Sequence, residues 1–115
     1  MEMTQAEETR TAQAVQSLAA LAQATRLQIY RFLVEAGPEG APAGRIAEAL
    51  DVPGATLSFH LAHLTRAGLA KSRQEGRFVI YSADFRAMRG LVGYLTQNCC
   101  KGARNETTAR ARRCA

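Results

Sequence analysis

The side chains in this 115-residue chain best suited to coordination or redox chemistry are three cysteines and two histidines. Cys99 and Cys100 are adjacent, and Cys114 follows in a basic segment. An odd cysteine count containing an adjacent pair does not make the disulfide framework of a small secreted protein. The plain alternative for Cys99 and Cys100 is two small buried hydrophobes. His60 and His63 stand three apart, a spacing that metal sites use. No thiol or carboxylate lies near them in sequence to complete such a site, so they read as surface groups. The chain has no Cys-x-x-Cys and no convincing acid–base pair, so no enzyme activity is expected.

These groups need elements to position them. Val15, Leu18, Ala19 and Ala22 recur at helical spacing and predict a first helix over residues 10–22. Thr25-Arg26-Leu27-Gln28 has the form of a capping box, which starts a second helix at Thr25. Leu27, Tyr30, Leu33 and Val34 line one side of it, and Gly37-Pro38-Glu39-Gly40 ends it. A short helix over 44–50 turns Ile46, Ala47 and Leu50 inward. Asp51-Val52-Pro53-Gly54 then connects it tightly to another helix, which opens at Gly54 or Ala55 and runs to Ala67. Two short helices so joined form a helix-turn-helix candidate. Strand-like runs over 69–74 and 77–82 flank Glu75-Gly76, a hairpin signal. Asp84 can cap a last helix with Met88, Leu91, Val92 and Leu95 on one stripe. Gly90 and Gly93 weaken that helix but admit a close backbone neighbour. The segment after Gly102 is basic and aperiodic and reads as a mobile tail.

The second helix of the helix-turn-helix pair divides its faces. At 100° per residue, Leu57, Leu61 and Leu64 fall in one stripe, while Phe59, His63 and Arg66 point away and Thr56 and His60 flank them. Such a helix suits the major groove of DNA. Thr56, Ser58, His60 and His63 can then reach base edges or phosphates, and Phe59 a thymine methyl. An ordinary amphipathic helix with a wet polar face gives the same pattern. Arg73 and Arg77 flank the hairpin tip, either beside phosphates or simply solvated. The net charge of +5 and pI of 9.6 favour a polyanionic partner without fixing it. The acidic, polar start lacks the pattern of a secretion signal, and no apolar run is long enough to span a membrane. A cytoplasmic protein in a reducing compartment is the expectation.

Three segments together carry a family resemblance over residues 12–102. Leu21-Ala22-Gln23-Ala24-Thr25-Arg26-Leu27-Gln28-Ile29-Tyr30 is similar to the second-helix signature of the ArsR-type (ArsR/SmtB) winged-helix repressors. Leu57-Ser58-Phe59-His60-Leu61-Ala62-His63-Leu64-Thr65-Arg66-Ala67-Gly68-Leu69 resembles their recognition helix and its exit. Arg73-Gln74-Glu75-Gly76-Arg77-Phe78, with Tyr81, resembles their wing. One departure is Gln23-Ala24, where the family usually has an acidic residue and proline. The resemblance implies a mainly α fold with a β-hairpin wing, dimerising through its terminal helices. Residues 10–98 would form the DNA-binding and dimerisation domain, and 99–115 a cysteine-containing tail with the inducer site. It also implies double-stranded operator DNA as partner, with two recognition helices about one DNA turn apart.

Regulators of this family differ mainly in where an ion binds. The short helix reading Arg45-Ile46-Ala47-Glu48-Ala49-Leu50 has no cysteine, and the last helix has no histidine, so two common site types are missing. Gln97-Asn98-Cys99-Cys100-Lys101-Gly102 resembles the branch whose arsenic site is an adjacent cysteine pair plus a third cysteine shortly after. This implies As(III), Sb(III) or methylarsenite as inducer ligand, which soft thiolates suit. Here Glu106 falls where the third cysteine usually stands, so Cys114 is the remaining candidate. Neighbours on a regular helix diverge by 100°, so both sulfurs converge only if the helix end opens, which Gly102 permits. The rival is a redox-responsive repressor using the same cysteines.

Overall fold

The computed structural model describes residues 3–103. Its first helix, α1 (Gln5–Leu21), starts well before residue 10. The Thr4 hydroxyl accepts the Glu7 amide at 3.1 Å, and Glu7 and Glu8 place negative charge on the first turn, where the helix dipole favours it. Polarity hid this start, because Thr4-Gln5-Ala6-Glu7 carries a cap but no apolar stripe.

The second helix, α2 (Ala24–Ala36), is capped by Gln23 and not by Thr25. Gln23 is extended and its Oε1 accepts the Arg26 amide at 2.7 Å, so Thr25 already lies inside the first turn. Gly37 closes α2 at φ +79°, returning its amide to the carbonyls of Leu33 and Val34. Ile29, Tyr30 and Leu33 are its buried residues, while Leu27 stays exposed.

Chain reversal after α2 produces β1 (Ala41–Pro42), a strand too short to show in any periodicity. It pairs antiparallel with β3 (Phe78–Ala83), which pairs on its other side with β2 (Ala70–Glu75), giving the order β1-β3-β2. Gly76, at φ +60°, makes the turn between β2 and β3. Gly40, just before β1, is at φ +68°, and a Cβ there would collide with the Tyr81 carbonyl oxygen. Only glycine lets this segment lie against β3.

Between β1 and β2 come α3 (Ala43–Leu50) and α4 (Gly54–Arg66). Asp51 turns the chain in left-handed geometry, and the Val52 amide reaches the Ala47 carbonyl at 3.0 Å. The last helix, α5 (Phe85–Thr96), is capped by Asp84, whose Oδ1 accepts the Ala87 amide at 3.0 Å. A 3-10 turn, Lys101–Ala103, follows. The core joins Ile29 and Leu33 of α2, Ile46 of α3, and Leu57, Leu61 and Leu64 of α4 with Leu69, all essentially inaccessible. The stripe expected on α4 is therefore what fixes that helix to the domain, at roughly 1.5–3 kcal/mol per buried leucine. Tyr30 is buried, its hydroxyl without a hydrogen-bond partner among the described residues, and burial, then the charge of Asp84, pushes its pKa up. The core thus holds α4 by one face and leaves its other face and the tip of the β2–β3 hairpin exposed.

Candidate nucleic-acid interface

Because Leu57, Leu61 and Leu64 hold the inner face of α4, Thr56, Ser58 and Phe59 are left exposed on its other sides. Phe59 is 61% exposed, a large apolar ring set among polar neighbours. It meets His60 and His63 edge-on, with centroids 5.4 Å and 6.5 Å away. His63 is half-buried and Arg66 is exposed at the C-terminal end. The N-cap of α4 is Pro53, which gives no side-chain cap to the first amides of the helix. Such amides and the adjacent hydroxyls of Thr56 and Ser58 suit phosphate and base-edge acceptors.

His60 corrects the sequence expectation. Only 7% of it is exposed, and its Nδ1 lies 3.4 Å from the Arg26 guanidinium, whose Nε donates to the Ala20 carbonyl at 2.7 Å. The imidazole faces Arg26 across the α2–α4 junction. Burial, then Arg26, then His63, lowers its pKa below the ordinary histidine value. Arg26 escaped notice in the sequence because the contact spans 34 residues.

At the wing the two arginines separate. Arg73 donates to the Glu75 carboxylate at 2.5 Å and to the Glu39 carbonyl at 2.7 Å, which anchors the hairpin to the loop after α2. Arg77 is exposed at the turn beside Phe78, itself 61% exposed. Only Arg77 extends from the tip with its charge uncommitted to these partners.

The cysteine pair lies just beyond α5. The helix stops at Thr96, Asn98 and Cys100 both take positive φ, and the Cys99 amide turns back to the Thr96 carbonyl at 2.9 Å. The two sulfurs come within 3.5 Å, Cys99 exposed and Cys100 half-buried. Convergence is achieved upstream of Gly102, by the left-handed residues. Cys114 lies outside the described residues, as does the tail beyond residue 103. Among the described residues no cluster of three histidine, cysteine or acidic side chains could hold a metal ion. No described helix is long and apolar enough to cross a membrane.

A core-anchored α3–α4 pair with an exposed outer face, followed by a hairpin wing, defines a winged helix-turn-helix DNA-binding protein. A sequence model of the helix-turn-helix domain matches residues 21–73. The transcriptional activator HlyU of Vibrio cholerae serotype O1 is 31% identical over 94 residues, covering 82% of this chain and 84% of that protein. The structure of an ArsR-like transcriptional regulator from Rhodococcus sp. RHA1 superposes with a TM-score of 0.70 at 26% identity, over 83% of this chain and 87% of that one. The homodimeric winged helix-turn-helix domain of Mb0332 from Mycobacterium bovis, a possible ArsR-family regulator, matches with a TM-score of 0.65 at 25% identity, over 84% and 89%. The chain belongs to the ArsR/SmtB family of transcriptional regulators; it acts by binding DNA and not as an enzyme.

Proposed function

We propose that this protein is a cytoplasmic homodimeric repressor that releases its operator when trivalent arsenic bridges the sulfurs of Cys99 and Cys100, once the disulfide that Cys100 carries has been reduced. The observation that carries the reading is the 3.5 Å approach of those sulfurs at the end of a terminal helix. Two soft donors held that close suit a thiophilic centre better than any oxygen or nitrogen group nearby. The pair is also wired to the helices. Arg10 of α1 donates to Gln97, the C-cap of α5, at 3.1 Å, and Tyr94 of α5 bonds Thr11 of α1 at 2.7 Å. A ligand that rearranges residues 97–100 therefore pulls on the α1–α5 contact, and release follows if the bound form disfavours the DNA-competent geometry.

Dimerisation through those helices is supported by their uncovered apolar residues, Val15 and Leu18 on α1 and Val92 and Leu95 on α5. Thr56, Ser58, Phe59, His63 and Arg66 on α4, with Arg77 at the wing, are the DNA-facing side chains of this reading.

Inorganic As(III) offers three valences to thiolates and methylarsenite two. Cys99 and Cys100 complete a methylarsenite site, whereas arsenite needs a third ligand, for which Cys114 is the intrachain candidate. The test is fluorescence anisotropy of an operator selected by the protein from random DNA, titrated with arsenite, antimonite, methylarsenite, zinc or peroxide. Arsenic should release the DNA, and Cys99→Ser or Cys100→Ser should abolish release. Cys114→Ser should blunt the arsenite response more than the methylarsenite one. Release by peroxide alone assigns the pair to redox sensing, and undiminished arsenic release in a Cys99/Cys100 double variant sinks the sensor.

A further inference from the structure

Beside the α1–α5 contact lies a groove of about 500 Å³ that involves neither the cysteine pair nor the N-terminal half of α4. Its walls come from α1, from the end of α4 with Ala67 and Gly68, and from α5. That volume is within the range of small-molecule sites, roughly 300–1,000 Å³. Arg10, Arg66 and Arg86 line it, one from each helix, Arg66 being also one of the DNA-facing residues of the function proposed above. Among the described residues the ion pairs are Arg31–Glu35 and Arg73–Glu75, so none of the three is neutralised by a carboxylate. Arg10 donates to the Gln97 amide oxygen, which leaves its charge uncompensated. Among the described residues the only acidic one in the lining is Asp84, and one of its oxygens is committed to capping α5.

Leu91 and Tyr94 also line the groove, which gives it an apolar side. The Tyr94–Thr11 and Arg10–Gln97 hydrogen bonds fix α1 against α5, so these walls stand before any ligand arrives. The uncovered apolar residues Val15, Leu18, Val92 and Leu95 are not in the lining, although the groove and the face assigned to dimerisation share α1 and α5.

We propose that this groove binds a small organic anion: a carboxylate taken by the arginines, carried on an apolar ring or chain that lies against Leu91 and Tyr94. Guanidinium groups pair with carboxylates through two parallel N–H bonds, which makes charge the larger share of recognition. An effect of the ligand on DNA binding rests on the function proposed above, since the groove includes the end of α4; the site itself does not, and it is tested without DNA.

The full-length reduced protein is titrated with benzoate and with indole-3-acetate, followed by calorimetry and amide NMR. Benzyl alcohol supplies the ring without charge, and inorganic phosphate the charge without a ring. The carboxylates should saturate and shift the amides of Ala67, Gly68, Leu91 and Tyr94. Both controls should bind at least about tenfold more weakly, which is 1.4 kcal/mol. Arg86→Gln should weaken the carboxylates by a similar factor while the melting temperature holds, and Arg10→Gln, which also loses the Gln97 hydrogen bond, should weaken them at least as much. The site is overturned if neither carboxylate saturates, if phosphate or benzyl alcohol matches them, or if both arginine variants keep full affinity.

Discussion

His60 sits on a helix whose neighbours Ser58 and Phe59 are exposed, yet its own ring is buried against Arg26. Its Nδ1 accepts from the guanidinium only while neutral; a proton there would face a cation at 3.4 Å. The folded pKa is therefore below the unfolded value of about 6.5. At low pH the unfolded chain binds more protons, so the contribution is intact above about pH 6.5 and declines as pH falls below it. Urea midpoints measured from about pH 7.5 to 5 should decrease toward acid, and His60→Gln should flatten that decline. An unchanged slope in the variant would assign the acid sensitivity elsewhere. The exposed side chains divide differently. Ser58→Ala and Phe59→Ala should each cost about 1–3 kcal/mol on a selected operator and little on random DNA. Arg77→Ala should weaken both DNAs alike and lower the salt slope by about one. Equal losses on both DNAs from the Ser58 and Phe59 changes would remove those residues from base reading.

Elements show why some of the fold was legible in the residues and some was not. The α4 stripe of Leu57, Leu61 and Leu64 was legible because one side of a regular helix must be buried. The hairpin and the Asp84 cap were legible because turn and cap chemistry is local. The α2 cap was misplaced by two residues, since a capping-box pattern at Thr25 outweighed an extended Gln23 that only the geometry reveals. Among candidate site residues, the exposed positions followed from helical phase, but His60 lies on the flank, where phase alone does not decide burial. Arg73 likewise could not be told from Arg77 without its contact to Glu39, 34 residues earlier. The third strand was invisible because Ala41 and Pro42 are too few to show alternation. Gly40 gives that strand a test. Gly40→Ala must hold a left-handed φ and drive a methyl into the Tyr81 carbonyl, so it should cost roughly 2 kcal/mol or more. Gly76→Ala, also at positive φ but with open space around its Cβ position, should cost less. Equal losses in denaturant midpoints would show that the β1–β3 approach adds nothing to the backbone term.

At the scale of the whole molecule, the described residues bury one core and leave a second apolar surface uncovered. The first helix packs inward through Ala14 and Ala20, while Val15 and Leu18 stay 59% and 43% exposed. On α5, Val92 and Leu95 are 54% and 57% exposed, and no described atom lies within 4 Å of a Cβ placed on Gly90 or Gly93. Exposed positions of a monomer tolerate substitution within about 0.5 kcal/mol. A position buried between two copies does not, because a carboxylate placed there loses its water without gaining a partner. Val15→Glu and Leu95→Glu distinguish the two cases. If the terminal helices join two copies, sedimentation at micromolar concentration should show a dimer for the parent chain and dissociation for either variant. Affinity for a palindromic operator should fall with it, since two recognition helices about 34 Å apart would no longer be held together. Affinity for a single half-site should change little, because α4 and the wing belong to one chain. A parent chain that sediments as a monomer and still binds the full palindrome tightly would refute the dimer.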